Sequence, residues 1–167
     1  MVAPHNHPRA TEYLINVAGP PLSAGSFNEN GAPFYQGNLN AGSVTVLPLG
    51  SIHYVSNEGC DPALIVAGFN SETPGVGFLS SMYTAFDPQT VAAAFGGAGA
   101  TVFDTSKIPA AVNLGHDQCL QKCGINRDTY NIQDENVTNH DLMKMAFAGY
   151  LKAQNYDYST DVWLSWT

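Results

Sequence analysis

The chain has 167 residues, enough for one domain with a hydrophobic core and too few for two ordinary ones. Its formal charge is -8, with 14 acidic residues against six basic ones, and no Lys/Arg cluster is present that could neutralise a phosphate backbone, which argues against nucleic acid as a partner. No apolar run reaches the roughly eighteen residues of a membrane-spanning helix, so no membrane partner is expected, while sixteen glycines, ten prolines and only 12% charged residues describe a turn-rich β domain.

The N-terminal segment MVAPHNHPRA lacks the apolar stretch of a signal peptide. It carries His5 and His7, which point to the same face if the segment is extended, and Pro8–Thr11 gives the chain room to turn and present Glu12. Glu12–Gly19 alternates loosely and is predicted to be a strand that ends at the Gly-Pro-Pro of residues 19–21. A short strand at Leu22–Phe27 follows, then a turn at Asn28–Gly31. An extended piece begins at Pro33, before a turn-rich region from Gly37 to Gly42. Val44 and Val46 alternate with Ser43 and Thr45 within residues 42–47, the pattern of a strand with one buried face. Ser51–Ser56 is predicted to be a strand carrying His53, and Pro62–Phe69 another with a nearly continuous apolar run. Five or six short strands in seventy residues point to a β-sandwich or barrel and away from a βαβ fold.

After Pro74 the pattern becomes helical. Asp87 is placed as the N-cap and Pro88 in the first turn of a helix through Val91–Phe95, stopped by Gly96-Gly97-Ala98-Gly99. Further helices are predicted at Asp117–Lys122 and Asp141–Lys152, and Tyr156–Thr167 is an extended strand or a tail. Arg9 is the sole basic residue in 1–106, whereas Lys107, Lys122, Arg127, Lys144 and Lys152 all follow. This composition break sets a boundary near residue 100 and divides the chain into 1–96 and a helical and irregular extension, 97–167.

Cys60, Cys119 and Cys123 make an odd count. One pair can be bridged with the third free, and Cys119 and Cys123 are about one helical turn apart, close enough for a strained bridge if the helix ends at Gly124. The alternative is three small buried or half-buried residues. The sequon Asn136-Val137-Thr138 and the low charge are compatible with an extracellular protein.

His5, His7, Glu12 and His53 form a three-imidazole, one-carboxylate set suited to a borderline or hard divalent ion, and the lack of cysteine in it argues against a zinc-thiolate site. Four protein ligands in an octahedral site leave two positions for water or substrate, so a catalytic use is open. A lone His-x-His is most often not a metal site, but three of the five histidines lie in these two windows. His116 and His140 are read as solvated or capping residues, and Arg9 as a structural residue near the site more than a substrate attractor.

The sequence resembles the cupin superfamily, and within it the germin-like and spherulin-like branch, through two segments. His5-Asn6-His7-Pro8-Arg9-Ala10-Thr11-Glu12, six residues and Gly19 match H-x-H-x4-E-x6-G. Gly42-x5-Pro48-x-Gly50-x2-His53-x3-Asn57 matches G-x5-P-x-G-x2-H-x3-N. The resemblance covers roughly residues 4–96 and implies a jelly-roll β-barrel, with His5, His7, Glu12 and His53 as metal ligands and Mn²⁺ as the usual occupant in oxalate-handling members. It implies an oxalate oxidase- or decarboxylase-like enzyme acting on oxalate or another small carboxylate. Alternatives are a non-catalytic extracellular or storage metal-binding protein, and superoxide dismutase-like activity. A homo-oligomer is a further expectation. Members of the family have several strands before the first histidine where this chain has Met1–Pro4, so an incomplete barrel is expected, with Leu14, Ile15, Val44 and Val46 partly exposed. Asn16 shares the parity of Glu12 and Asn57 follows His53, each at least as well explained by turn or sheet roles.

Overall fold

The computed structural model describes residues 1–97 and 114–127. Eight strands run in order: β1 (Val2–Asn6), β2 (Glu12–Ala18), β3 (Leu22–Phe27), β4 (Tyr35–Leu39), β5 (Val44–Leu47), β6 (Ile52–Asn57), β7 (Leu64–Phe69) and β8 (Gly77–Phe78). They form two antiparallel sheets, one of five strands in the order β4-β3-β6-β1-β8 and one of three in the order β5-β2-β7. The crossing of consecutive strands between sheets is that of a jelly roll, as expected. Three short helices follow, α1 (Leu79–Ala85), α2 (Pro88–Ala94) and α3 (Asp117–Lys122). Among the described residues no helix is long and apolar enough to cross a membrane.

Period-two alternation decides which side chains enter the sandwich. Along β2, Glu12, Leu14 and Asn16 are buried while Tyr13 and Ile15 face out. The core is compact: Leu14, Leu22, Leu39, Leu47 and Val55, with Ala24, Ala63 and Ile65 packed at its margin. Leu14 is only 2% exposed, so the expectation that it would be partly uncovered is corrected, because its parity turns it between the sheets. Ile15, Val44 and Val46 are exposed as expected. They and Tyr13 share the outer face of the smaller sheet through the pairs Tyr13↔Val46 and Ile15↔Val44, and Val66 joins them opposite Ile15.

Two glycines of the motif positions show why those positions need glycine. Gly19 has φ of 101°, and a Cβ there would meet the Pro62 carbonyl oxygen at 2.5 Å, so the β2–β3 turn closes against the approach to β7. Gly50 has φ of 78° and its N–H donates to the His7 carbonyl at 3.0 Å, tying the second histidine segment to the first. Such φ values are accessible to glycine at little cost.

The extended piece from Pro33 becomes β4 only at Tyr35 and runs on to Leu39, later than expected, because pairing with β3 from Leu22↔Leu39 to Ser26↔Tyr35 overrides the turn-rich composition. Helix α1 has no counterpart among the predicted elements; it packs on β1 and β8. Helix α2 starts as expected, with the Asp87 carboxylate accepting from the Thr90 N–H at 3.0 Å and Pro88 in the first turn. The predictions for Asp141–Lys152 and Tyr156–Thr167 lie outside the described residues.

One pair of cysteines is bridged and the third is free, as the odd count allows, but the bridge is not the one between Cys119 and Cys123. Cys60 and Cys123 are joined, with Cα atoms 5.3 Å apart, and Cys119 is free. Helix α3 remains helical through Lys122 and docks on the β6–β7 loop, where the Cys119 thiol donates to the Asn57 carbonyl at 3.6 Å. That docking carries Cys123 to Cys60 and leaves Cys119 one turn back. A link across 63 residues removes on the order of 4 kcal/mol of chain entropy from the unfolded state. Replacing Cys60 and Cys123 with serine is expected to lower the unfolding free energy by about 2–4 kcal/mol and to speed hydrogen exchange in α3. Unchanged denaturant midpoints would show that α3 is held by packing alone.

Candidate metal centre

Strand pairing assembles the site. β1 and β6 are neighbours with His5 directly opposite His53, so the two histidine segments meet side by side in one sheet. His7 lies one residue past the end of β1. Glu12 opens β2 in the facing sheet and projects across the sandwich. All four residues are buried, with exposures of 6% for His5, 8% for His7, 5% for Glu12 and 3% for His53, and their ligand atoms lie within 4.8 Å of one another. The sequence-derived set is thus brought together complete.

Each imidazole has its proton fixed on the far nitrogen. His5 Nδ1 is 2.8 Å from the Ala3 carbonyl, His53 Nδ1 is 2.9 Å from the Ser51 carbonyl, and His7 Nδ1 is bonded to the Gly75 carbonyl. A carbonyl oxygen only accepts, so each Nδ1 carries a hydrogen, and in the neutral imidazole each Nε2 turns a lone pair inward. His7 Nε2 and His53 Nε2 lie 3.2 Å and 3.0 Å from the same Glu12 Oε2. Glu12 Oε2 and His53 Nε2 are among the buried polar atoms without a hydrogen-bond partner. Lone pairs aimed at one another in a water-poor interior repel unless a cation or a shared proton lies among them. Donor atoms about 2.1 Å from a shared ion sit about 3 Å apart when adjacent, the spacing of the two Glu12 contacts.

Aromatic rings wall the cluster. Phe78 lies beside His5, with ring centroids 5.1 Å apart, and Phe69 meets His7 edge-on at 4.6 Å. Neither ring was singled out by the sequence pattern: Phe69 is the last residue of an apolar run, and Phe78 reaches the site only because β8 pairs with β1. The Gly75 carbonyl, 68 positions from His7, likewise has no signal in local spacing.

The remaining candidates have structural roles. Arg9 donates from Nε to the Thr73 carbonyl at 2.8 Å and from its backbone to the Pro74 carbonyl at 3.1 Å. It thereby pins the 73–75 segment that presents Gly75 to His7, and makes no salt bridge to another described residue. Asn16 is fully buried and donates to the Pro20 and Leu39 carbonyls, while Asn57 closes the turn after β6 through Gly59 and Asp61. His116 occupies the N-cap position of α3, 65% exposed and 3.8 Å from Glu58; His140 lies outside the described residues.

Two sheets closed over an inward-facing cluster of this kind place the chain among the double-sheet jelly rolls. It belongs to the cupin family, whose profile matches residues 1–102. Spherulin-1A of Physarum polycephalum is 39% identical over 123 residues, covering 72% of this chain and 50% of that protein. Germin-like protein 5-1 of Oryza sativa subsp. japonica is 37% identical over 86 residues, covering 52% and 38%. Among solved structures, recombinant oxalate oxidase in complex with glycolate superposes with a TM-score of 0.57 at 30% identity, covering 66% of this chain and 58% of that one. The chain spans about half the length of the spherulin relative.

Burial lowers the pKa of His5 from its ordinary 6.5, and the neighbouring His53 and His7 act in the same direction, against the opposing pull of the Ala3 carbonyl and Glu12. With the folded value below 6.5, the unfolded chain binds more protons on acidification. The stability associated with neutral His5 is present above 6.5 and is lost as pH falls through the lowered value. Denaturant titrations of chelator-treated protein should therefore show a lower midpoint at pH 5 than at pH 8, with a smaller difference in His5→Phe. A higher midpoint at pH 5 would contradict the sign.

Proposed function

We propose that this chain is a metal-binding cupin that holds Mn²⁺ through His5, His7, Glu12 and His53 and acts on oxalate or another small carboxylate. The observation that carries the reading is the unsatisfied pair of buried atoms, Glu12 Oε2 and His53 Nε2, facing each other with the imidazole protons held on the opposite side. Nitrogen and carboxylate donors without thiolate suit manganese, and the likeness to an oxalate oxidase bound to glycolate supports the substrate class. A bound ion would act as a Lewis acid toward a carboxylate and supply redox capacity. The chain's own contribution is to hold three neutral imidazoles in one tautomer through backbone carbonyls, to neutralise part of the ion's charge with Glu12, and to limit water with Phe69 and Phe78.

An extracellular location fits the Cys60–Cys123 disulfide, since such bonds persist in oxidising compartments. A homo-oligomer fits the apolar outer face at Tyr13, Ile15, Val44, Val46 and Val66, each more than a third exposed, because such faces are normally covered.

Elemental analysis of protein produced without added metal tests the site. About one manganese per chain is expected, with loss of most of it in His53→Ala; no transition metal in the wild type, or equal metal in the variant, would remove the assignment. Peroxide or formate released from oxalate by the loaded protein identifies an enzyme, whereas manganese without turnover favours the non-catalytic metal protein. Arg9→Gln is expected to reduce metal affinity about 10-fold, the lower end for residues that support ligands, through loosened Gly75. Oxalate affinity at full metal loading should stay constant, and a drop in it would instead mark Arg9 as a substrate attractor.

A further inference from the structure

Strand register extends the metal-centre row beyond its ligands. Across the larger sheet, Tyr35 stands opposite Ser26, Ser26 opposite His53, His53 opposite His5 and His5 opposite Phe78. In the smaller sheet Leu47 stands opposite Glu12. Directly opposed residues of an antiparallel pair share a face and lie about 5 Å apart, so Ser26 and Leu47 are immediate neighbours of two ligands.

On the β4/β5 side of that row, at the edge of the sandwich, lies a solvent-open cavity of about 310 Å³, lined in part by Ser26, Tyr35, Gly37, Ser43, Thr45 and Leu47. Its volume lies at the lower end of small-molecule sites, roughly 300–1,000 Å³, and exceeds what a two-carbon dicarboxylate held at the ion would fill. No charged side chain lines it. The side-chain hydroxyls of Ser26, Tyr35, Ser43 and Thr45 make no hydrogen bond to another described residue. The cavity thus combines free hydroxyls, an aromatic ring and an aliphatic floor, next to a centre suited to an anion.

We infer that this cavity is the subsite for the body of the substrate, and that it takes a polyhydroxylated monocarboxylate, a sugar-acid-like molecule. Its carboxylate end reaches the centre between Ser26 and Leu47. The carbon chain lies along Leu47 and the Tyr35 ring, and its hydroxyls exchange hydrogen bonds with Ser26, Tyr35 and Thr45. The absence of charge in the cavity matches a neutral ligand body, and unpaired hydroxyls discriminate strongly against an analogue that lacks partners for them. The inference rests on the metal-centre reading above and names the substrate class for that same site.

Calorimetric titration of the manganese-loaded full chain with gluconate, hexanoate and oxalate tests it. Gluconate is expected to bind at least tenfold more tightly than hexanoate, which has the same carboxylate and chain length without hydroxyls. Thr45→Val, Ser26→Ala and Tyr35→Phe should each weaken gluconate several-fold, with oxalate affinity and manganese content as in the wild type. Gluconate binding no tighter than hexanoate, or insensitivity to all three substitutions in manganese-loaded protein, would overturn the assignment. If the chain retains no manganese yet binds gluconate with the same sensitivity to Thr45→Val, the ligand class of the cavity stands and the metal reading fails.

Discussion

The repulsion among inward-facing lone pairs at Glu12, His7 and His53 is the constraint on which the arrangement of this molecule turns. A carboxylate oxygen 3.0 Å and 3.2 Å from two imidazole nitrogens is tolerable in the interior only with a cation or a shared proton among them. The fold increases that demand instead of relieving it. Each imidazole directs an Nδ1 hydrogen to a backbone carbonyl, and the rings of Phe69 and Phe78 beside His7 and His5 offer no donor. An ion bound there would relieve that repulsion and add its binding free energy to folding.

The two sheets contribute differently to this constraint. The larger sheet supplies imidazoles from adjacent strands, where register alone brings His5 and His53 together. The smaller sheet supplies Glu12, so the cluster links the two layers across the core. The His7 carbonyl accepts from Gly50 while the His7 ring reaches Gly75, and Arg9 holds the segment that carries that carbonyl. One residue thus joins the β1–β2 turn, the turn before β6 and the approach to β8. The disulfide is remote from this network and ties α3 to the β6–β7 loop.

The strands were largely legible because buried and exposed positions alternate, as in Glu12–Ala18 and Ile52–Asn57. Where legibility failed, a non-local contact had overridden local composition. β4 forms over Tyr35–Leu39 despite Gly37 and Asn38, since β3 supplies its pairing partners. α1 carries no cap signal and forms against β1 and β8. The bridge between Cys60 and Cys123 depends on where α3 docks, which no spacing within Cys119–Cys123 encodes.

The amino-acid sequence by itself determined the identity of the four candidate ligands, because residue type and interval within two short segments are local properties. It also determined the turns that flank them, since left-handed φ at Gly50 and Gly19 is a property of glycine. Only the tertiary structure decided the tautomers, the walls and the cavity. Those depend on carbonyls, rings and hydroxyls tens of residues away, placed by strand register and by the parity that sent Leu14 inward and left Ile15 outside.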